Sequence, residues 1–401
     1  MNLSSLRACA VLALALLGAC GGGGGGGGGD NALATTVATQ TFRVADLPET
    51  STGAAGFSHA ANPQIDQAVQ AALKQYHLPG ATVVVMKDQQ VVYAKGYGYA
   101  NLATRAPAKP EHRFQIGSIS KSFVATAIML LAEDGKLSLD DPVSKHVGGL
   151  PEAWRGTTIR HLLNHTSGLP HDTTADVKSK FERFMAASDV ERIGMIATIP
   201  LLSTPGAKYE YSNLGYTVAG LLANTIAGID HVELLQQRVF RPLGMTVRRV
   251  DAGDAVDALG YHQEGDTLRE ISNSPGENRF WALGAGGLAM SALDLAKWDA
   301  ALYGTQVLQA ASLAEVSKPQ VTLGNASWYG LGWFLQTVTG HFLMRHHGSM
   351  SGYESDYRRF PGARFSTVVL TNSGNVLQSI PGAQHIARLI TEQFHPELAV
   401  K

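Results

Sequence analysis

The sequence predicts an α+β fold (an α/β chain in the broad sense): one antiparallel sheet assembled from both chain ends, flanked by helices, with a mainly helical stretch inserted between its halves. Three observations predict it. β-rich apolar runs cluster early, at 81–86 and 91–97, around the hairpin signal Lys87-Asp-Gln-Gln. The middle of the chain, to about residue 285, carries apolar residues mostly at helical spacing. Strand-like runs then return at 331–338, 341–345, 351–360 and 366–371.

The bulk composition sets limits. The chain has 401 residues, of which 45% are hydrophobic and 16% charged, enough for a substantial core. The net charge of −1 and the scattered lysines and arginines exclude nucleic acid as a partner. The only cysteines, Cys9 and Cys20, precede the globular part, so its body has no disulfide framework and no thiolate zinc site.

Residues 1–20 read as an export signal: Arg7 supplies positive charge and 10–17 form an apolar core too short to span a bilayer. The segment ends Leu17-Gly-Ala-Cys20, which resembles the bacterial lipobox and implies lipidation at Cys20. The alternative is an ordinary signal peptide cut at small residues beside an incidental cysteine. Gly21 follows, not aspartate, which in a Gram-negative source directs the anchor to the periplasmic face of the outer membrane. The expectation is an exported, membrane-anchored lipoprotein.

Nine glycines, 21–29, begin a small-residue stretch to residue 61 that reads as a flexible tether. A phosphate-binding loop is excluded, because no strand precedes the glycines and no Gly-Lys-Ser/Thr follows. The catalytic body is expected over 62–398, with the helical subdomain at roughly 136–285.

Within that body, 65–76 has helical spacing ended by Leu-Pro-Gly. The run Phe114-Gln-Ile-Gly-Ser118-Ile-Ser-Lys121 opens a helix that continues to about Glu133 and stops at Asp134-Gly135. Further helices are expected at 159–164, 190–199, 217–227, 231–240, 293–303, 310–316 and 380–394. No internal repeat is present.

Three motifs carry chemistry. Ser118 and Lys121, three apart, fall on one face of a helix whose first turn has free N–H groups and the positive dipole end. A serine hydroxyl becomes a useful nucleophile only when something takes its proton, and a lysine serves only if its ammonium is destabilised. In Tyr211-Ser-Asn213, a phenol can pass a proton and an amide can meet both a substrate carbonyl and the lysine. In His346-His347-Gly348, the glycine lets a substrate backbone lie along a strand, and the N–H of Ser349 can face an oxyanion.

These motifs, in this order, resemble those of the penicillin-recognising serine hydrolases, in the branch with class C β-lactamases, D-alanyl-D-alanine carboxypeptidases, D-aminopeptidases and family VIII esterases. The resemblance extends to Thr158-Ile-Arg-His-Leu-Leu-Asn-His-Thr-Ser-Gly-Leu-Pro170, Arg241-Pro-Leu-Gly-Met245, Gly286-Gly-Leu-Ala-Met-Ser291 and Val368-Val-Leu-Thr-Asn372, covering roughly 63–395. It implies a beta-lactamase/transpeptidase-like fold and an acyl-serine mechanism without metal or organic cofactor. Ser118 becomes the nucleophile, Lys121 its partner and Tyr211 the proton acceptor and donor. The N–H groups of Ser118 and Ser349 form the oxyanion hole, and Asn213, His346 and Gly348 bind substrate. Which of Lys121 and Tyr211 is the immediate base stays open.

One departure stands out. Class C β-lactamases carry lysine where this chain has His346, so a permanent cation is lost and the case for an efficient β-lactamase weakens. The substrate is then an ester, a D-amino-acid peptide or a β-lactam-like amide. A non-catalytic envelope binding module is the other class of reading. Taken alone, Ser118 reads better as a helix cap and Lys121 as a solvated lysine; three ordered motifs reverse that preference. His161 and His165 lie four apart, but no general-base glutamate follows the first, so they are not read as metal ligands. The near-elbow Gly56-Phe-Ser-His-Ala60 lacks its last glycine.

Overall fold

The computed structural model describes residues 40–47, 62–171, 181–271, 283–374 and 382–398. The signal peptide, Cys20, the polyglycine run and most of the expected tether lie outside these residues.

The main sheet has nine strands, all antiparallel: β1 (Gly80–Lys87), β2 (Gln90–Asn101), β3 (Ala106–Pro107), β4 (Val321–Gly324), β5 (Ser327–Tyr329), β6 (Phe334–Val338), β7 (His341–Met350), β8 (Tyr353–Phe360) and β9 (Phe365–Thr371). Their spatial order is β4-β5-β6-β7-β8-β9-β1-β2-β3. The early hairpin therefore docks beside the last long strand, as the sequence predicts. The β1–β2 turn places Asp88 and Gln89 at φ 51° and 66°, the double positive φ of a two-residue hairpin loop.

Both sheet faces are covered, so β1 and β9 are apolar on both. Val83, Val85 and Val369 face helices α1 (Pro63–Tyr76) and α5 (Gly382–Phe394) through Ile65, Val69, Ile386 and Ile390. Their alternates Val84, Met86, Val368 and Leu370 belong to the larger core, which contains Phe123 of α2 (Ser120–Glu133), Leu221 of α3 (Asn213–Ala227) and Trp298 of α4 (Ala292–Ala301).

Several differences from the sequence expectations have simple causes. The long helix begins at Ser120, and Ser118 sits in a 3-10 turn, Gly117–Ile119, just ahead of it. β7 runs past the expected 341–345, through Gly348 to Met350, and the turn comes at Ser351-Gly352. The middle region is not wholly helical, since Tyr261–Glu264 and Thr267–Glu270 form a hairpin. Thr41–Arg43, placed in the tether from sequence, pairs antiparallel with that hairpin.

Candidate active site

The short strand Phe114–Gln115 pairs with Leu288–Met290 and delivers the chain into the Gly117–Ile119 turn. Gly117 takes φ +52°, and a Cβ there would lie 2.9 Å from the Ser349 nitrogen. That close approach brings the Ser349 N–H of β7 alongside the turn that carries Ser118.

A 3-10 turn followed by an α-helix still sets residues three apart on one face. Lys121 Nζ lies 3.0 Å from Ser118 Oγ, 2.8 Å from Asn213 Oδ1 and 2.6 Å from the Ala285 carbonyl oxygen. It is fully buried and stands 5.0 Å from the Tyr211 ring centre and 5.5 Å from that of Tyr216. Three oxygens therefore take the three N–H bonds of an ammonium. If the nitrogen loses one proton, its lone pair faces Ser118 while Asn213 and Ala285 keep the other two. The site thus brings together Ser118, Lys121, Tyr211 and Asn213 from two distant motifs.

Tyr211 and Asn213 owe their placement to the start of α3. Ser212 is its N-cap: its Oγ accepts from the Gly215 N–H at 2.9 Å and donates to the Pro170 carbonyl at 2.7 Å. The Asn213 N–H donates to the His171 carbonyl at 2.8 Å.

The cleft in front of Ser118 has a volume of about 470 Å³ and is lined by Tyr211, Asn213 and Ser349, and by Tyr209, His171, Phe334 and His347 as well. The Phe334 ring is near-parallel to both Tyr211 (6°, 6.2 Å) and His347 (18°, 5.6 Å). Among the described residues, no carboxylate, ammonium or guanidinium lines this cleft. Burial, with Arg345 close by, pushes the His347 imidazole down to about 4, so it is neutral at pH 7. A larger hollow elsewhere, of about 630 Å³ beside Arg192 and Arg249, has no lysine among its described lining residues.

His346, expected to touch substrate, does not line the cleft. It is fully buried behind the wall, its Nδ1–H donating to the His347 carbonyl at 2.7 Å and its Nε2 3.1 Å from the Tyr329 hydroxyl. Burial, with His347 and Lys121 nearby, holds it neutral, well below the usual imidazole range. Strand alternation is the reason: 347 and 349 face the cleft, while 346 and 348 turn inward. Gly348 is likewise buried, and a Cβ there would meet the Ile116 carbonyl oxygen at 2.0 Å and Ser355 Oγ at 2.5 Å. Its glycine lets β7 lie against the Ser118 turn; it does not face the cleft. Tyr209, Phe334, His171 and His347 were not among the sequence candidates. Tyr209, two residues before Tyr211, was the one with a readable signal.

A buried lysine beside a partly exposed serine, a neighbouring phenol and an adjacent strand N–H stand together on the fold of the beta-lactamase-type serine hydrolases. The Beta-lactamase family model matches residues 65–390, and the chain belongs to that family. It is 31% identical over 322 residues to Protein flp of Staphylococcus aureus (strain COL), covering 77% of this chain and 62% of that protein. The chain thus spans less than two thirds of that relative's length. It is 29% identical over 316 residues to Penicillin-binding protein 4* of Bacillus subtilis (strain 168), covering 75% of this chain and 69% of the relative. The octameric penicillin-binding protein homologue from Pyrococcus abyssi superposes with a TM-score of 0.70 at 26% identity, covering 83% of this chain and 77% of that one.

Proposed function

We propose that this protein hydrolyses an ester or amide through an acyl intermediate on Ser118. The observation that carries the reading is Lys121 Nζ, buried 3.0 Å behind Ser118 Oγ and held by Asn213, while Ser118 and Asn213 themselves line an open cleft. The Lys121–Tyr211 unit takes the Ser118 proton as Oγ bonds to the substrate carbonyl carbon. The carbonyl oxygen becomes an oxyanion received by the N–H groups of Ser118 and Ser349. When the intermediate collapses, the leaving oxygen or nitrogen takes the proton from Tyr211. Water then repeats the sequence on the acyl-serine, releasing the acid and restoring Ser118.

A small ester or a D-amino-acid peptide suits the cleft. Its described walls are aromatic and neutral, which favours uncharged groups beside His347 and weighs against an efficient class C-type β-lactamase. Asn213 supplies the substrate-facing amide. Outside the described residues, we propose export and lipid anchoring at Cys20, with membrane attachment through that lipid.

The test is covalent labelling by a neutral fluorophosphonate with intact-mass detection, followed by a panel of esters, D-peptides and a chromogenic cephalosporin. Wild type gains one adduct and Ser118→Ala gains none. A labelled Ser118→Ala protein sinks the assignment. An unlabelled wild type that turns over nothing in the panel favours a non-catalytic binding module.

A further inference from the structure

We infer that His165 is a positioning residue for Tyr211, holding the backbone N–H groups of the residues on either side of it, Glu210 and Ser212; this rests on the hydrolase reading above. The His165 carbonyl accepts the Glu210 N–H at 2.7 Å, and its ring Nδ1 accepts the Ser212 N–H at 3.0 Å. One residue therefore clamps the chain immediately before and immediately after Tyr211. Its imidazole also lies against the Tyr211 ring, centres 4.2 Å apart and tilted by 33°.

The clamp needs an unusual backbone. His165 takes φ +61°, a left-handed conformation uncommon outside glycine, and that turn lets carbonyl and ring reach the same short segment. It also needs a neutral ring, because an imidazolium has no acceptor nitrogen. The ring is fully buried, and Lys121 stands close enough to disfavour a second cation. With Nδ1 accepting, the proton sits on Nε2, which finds no hydrogen-bond partner among the described residues and is packed among aromatic rings. An unpaired buried N–H costs stability. The arrangement sacrifices that stability to hold Tyr211 in place.

Two variants separate clamping from packing. Asparagine tolerates positive φ and offers an acceptor oxygen but no ring. Phenylalanine keeps the ring and loses the acceptor. In His165→Phe, kcat on a neutral aryl ester falls about 10²-fold, the loss that a misplacement of about 1 Å produces, while KM stays within about threefold. His165→Asn recovers most of that kcat. The opposite order, with His165→Phe active and His165→Asn dead, or an equal rise in KM, overturns the proposal. Imidazole nitrogen chemical shifts of the folded wild type give a readout that needs no variant. An acceptor-type Nδ1 and a protonated Nε2 are expected at pH 7, and a protonated Nδ1 overturns the clamp. A wild type that Ser118 labelling leaves unmodified refutes the hydrolase reading and not the clamp, since the nitrogen shifts report the latter separately.

Discussion

At Gly348 a single methyl group would reach within 2.0 Å of the Ile116 carbonyl oxygen. Gly348→Ala must therefore push β7 off the turn that bears Ser118. The acylation rate is expected to fall about 10²-fold and overpacking to cost 1–3 kcal/mol, roughly; labelling kinetics and thermal unfolding read the two effects, and an unchanged labelling rate would refute the placement. His347 is a second test. Replacing it with lysine puts a cation on a wall where the described residues have none, so kcat/KM for carboxylate-bearing esters rises relative to neutral ones. The expected gain is about fivefold, the worth of an exposed ion pair of about 1 kcal/mol, and equal ratios in both proteins would refute it. Ser118, Lys121, Tyr211 and Asn213 were legible in the sequence because their ordered motifs resemble those of one family, and a spacing of three fixes the reach of Lys121 to Ser118 within one turn. His346 and His347 were not, since adjacent strand residues differ only in the face they present. That choice is made by Tyr329 and Phe334, which nothing local to the pair reveals.

Among the elements, α3 links local signals to the site. Its start is written as Ser212, its end as Gly228 at φ +72°, and its first turn carries Asn213 onto Lys121. Ser212→Ala should cost about 1 kcal/mol and lower the midpoint of thermal unfolding by roughly 2 °C, with a larger relative loss in kcat because Tyr211 precedes the cap. A loss of stability without loss of rate would separate the cap from the site. Long helices and long strands were readable because periodicity accumulates over many residues. Phe114–Gln115, Leu288–Met290 and Arg248–Arg249 were missed: two or three residues carry no period, and their partners lie far along the chain. β7 was read short because Gly348 looks like a turn signal, whereas here it serves close packing in an extended strand.

For the whole molecule, buried neutral histidines set a pH window. His165 and His346 lie well below the usual imidazole range and His347 at about 4, all chiefly through burial. In the unfolded chain they titrate near 6.5, approximately. Between these values the unfolded chain takes up protons that the folded one refuses, so stability is full above about pH 6.5 and declines as pH falls toward 4. The thermal midpoint is expected to drop between pH 7 and 5, with a shallower slope in His347→Asn; parallel slopes would remove His347 from the account. The overall fold was legible because the early and late strand runs flank a middle region whose spacing is mostly helical, which leaves them to pair chiefly with each other.

The pairing of β9 with β1 joins Thr371 to Ala81 and Phe365 to Lys87. This contact has very high sequence separation, so it cannot form in any chain that still lacks β9. The β1–β2 hairpin is made early, yet one edge of β1 has no neighbour until the last strand has been synthesised. Until then an apolar ribbon stands open, the kind of edge that recruits other chains. A nascent chain arrested before Phe365 is expected to aggregate or bind chaperones, while one arrested after Phe394 becomes protease-resistant. Limited proteolysis of stalled nascent chains would check this, and a compact product from the shorter chain would contradict it.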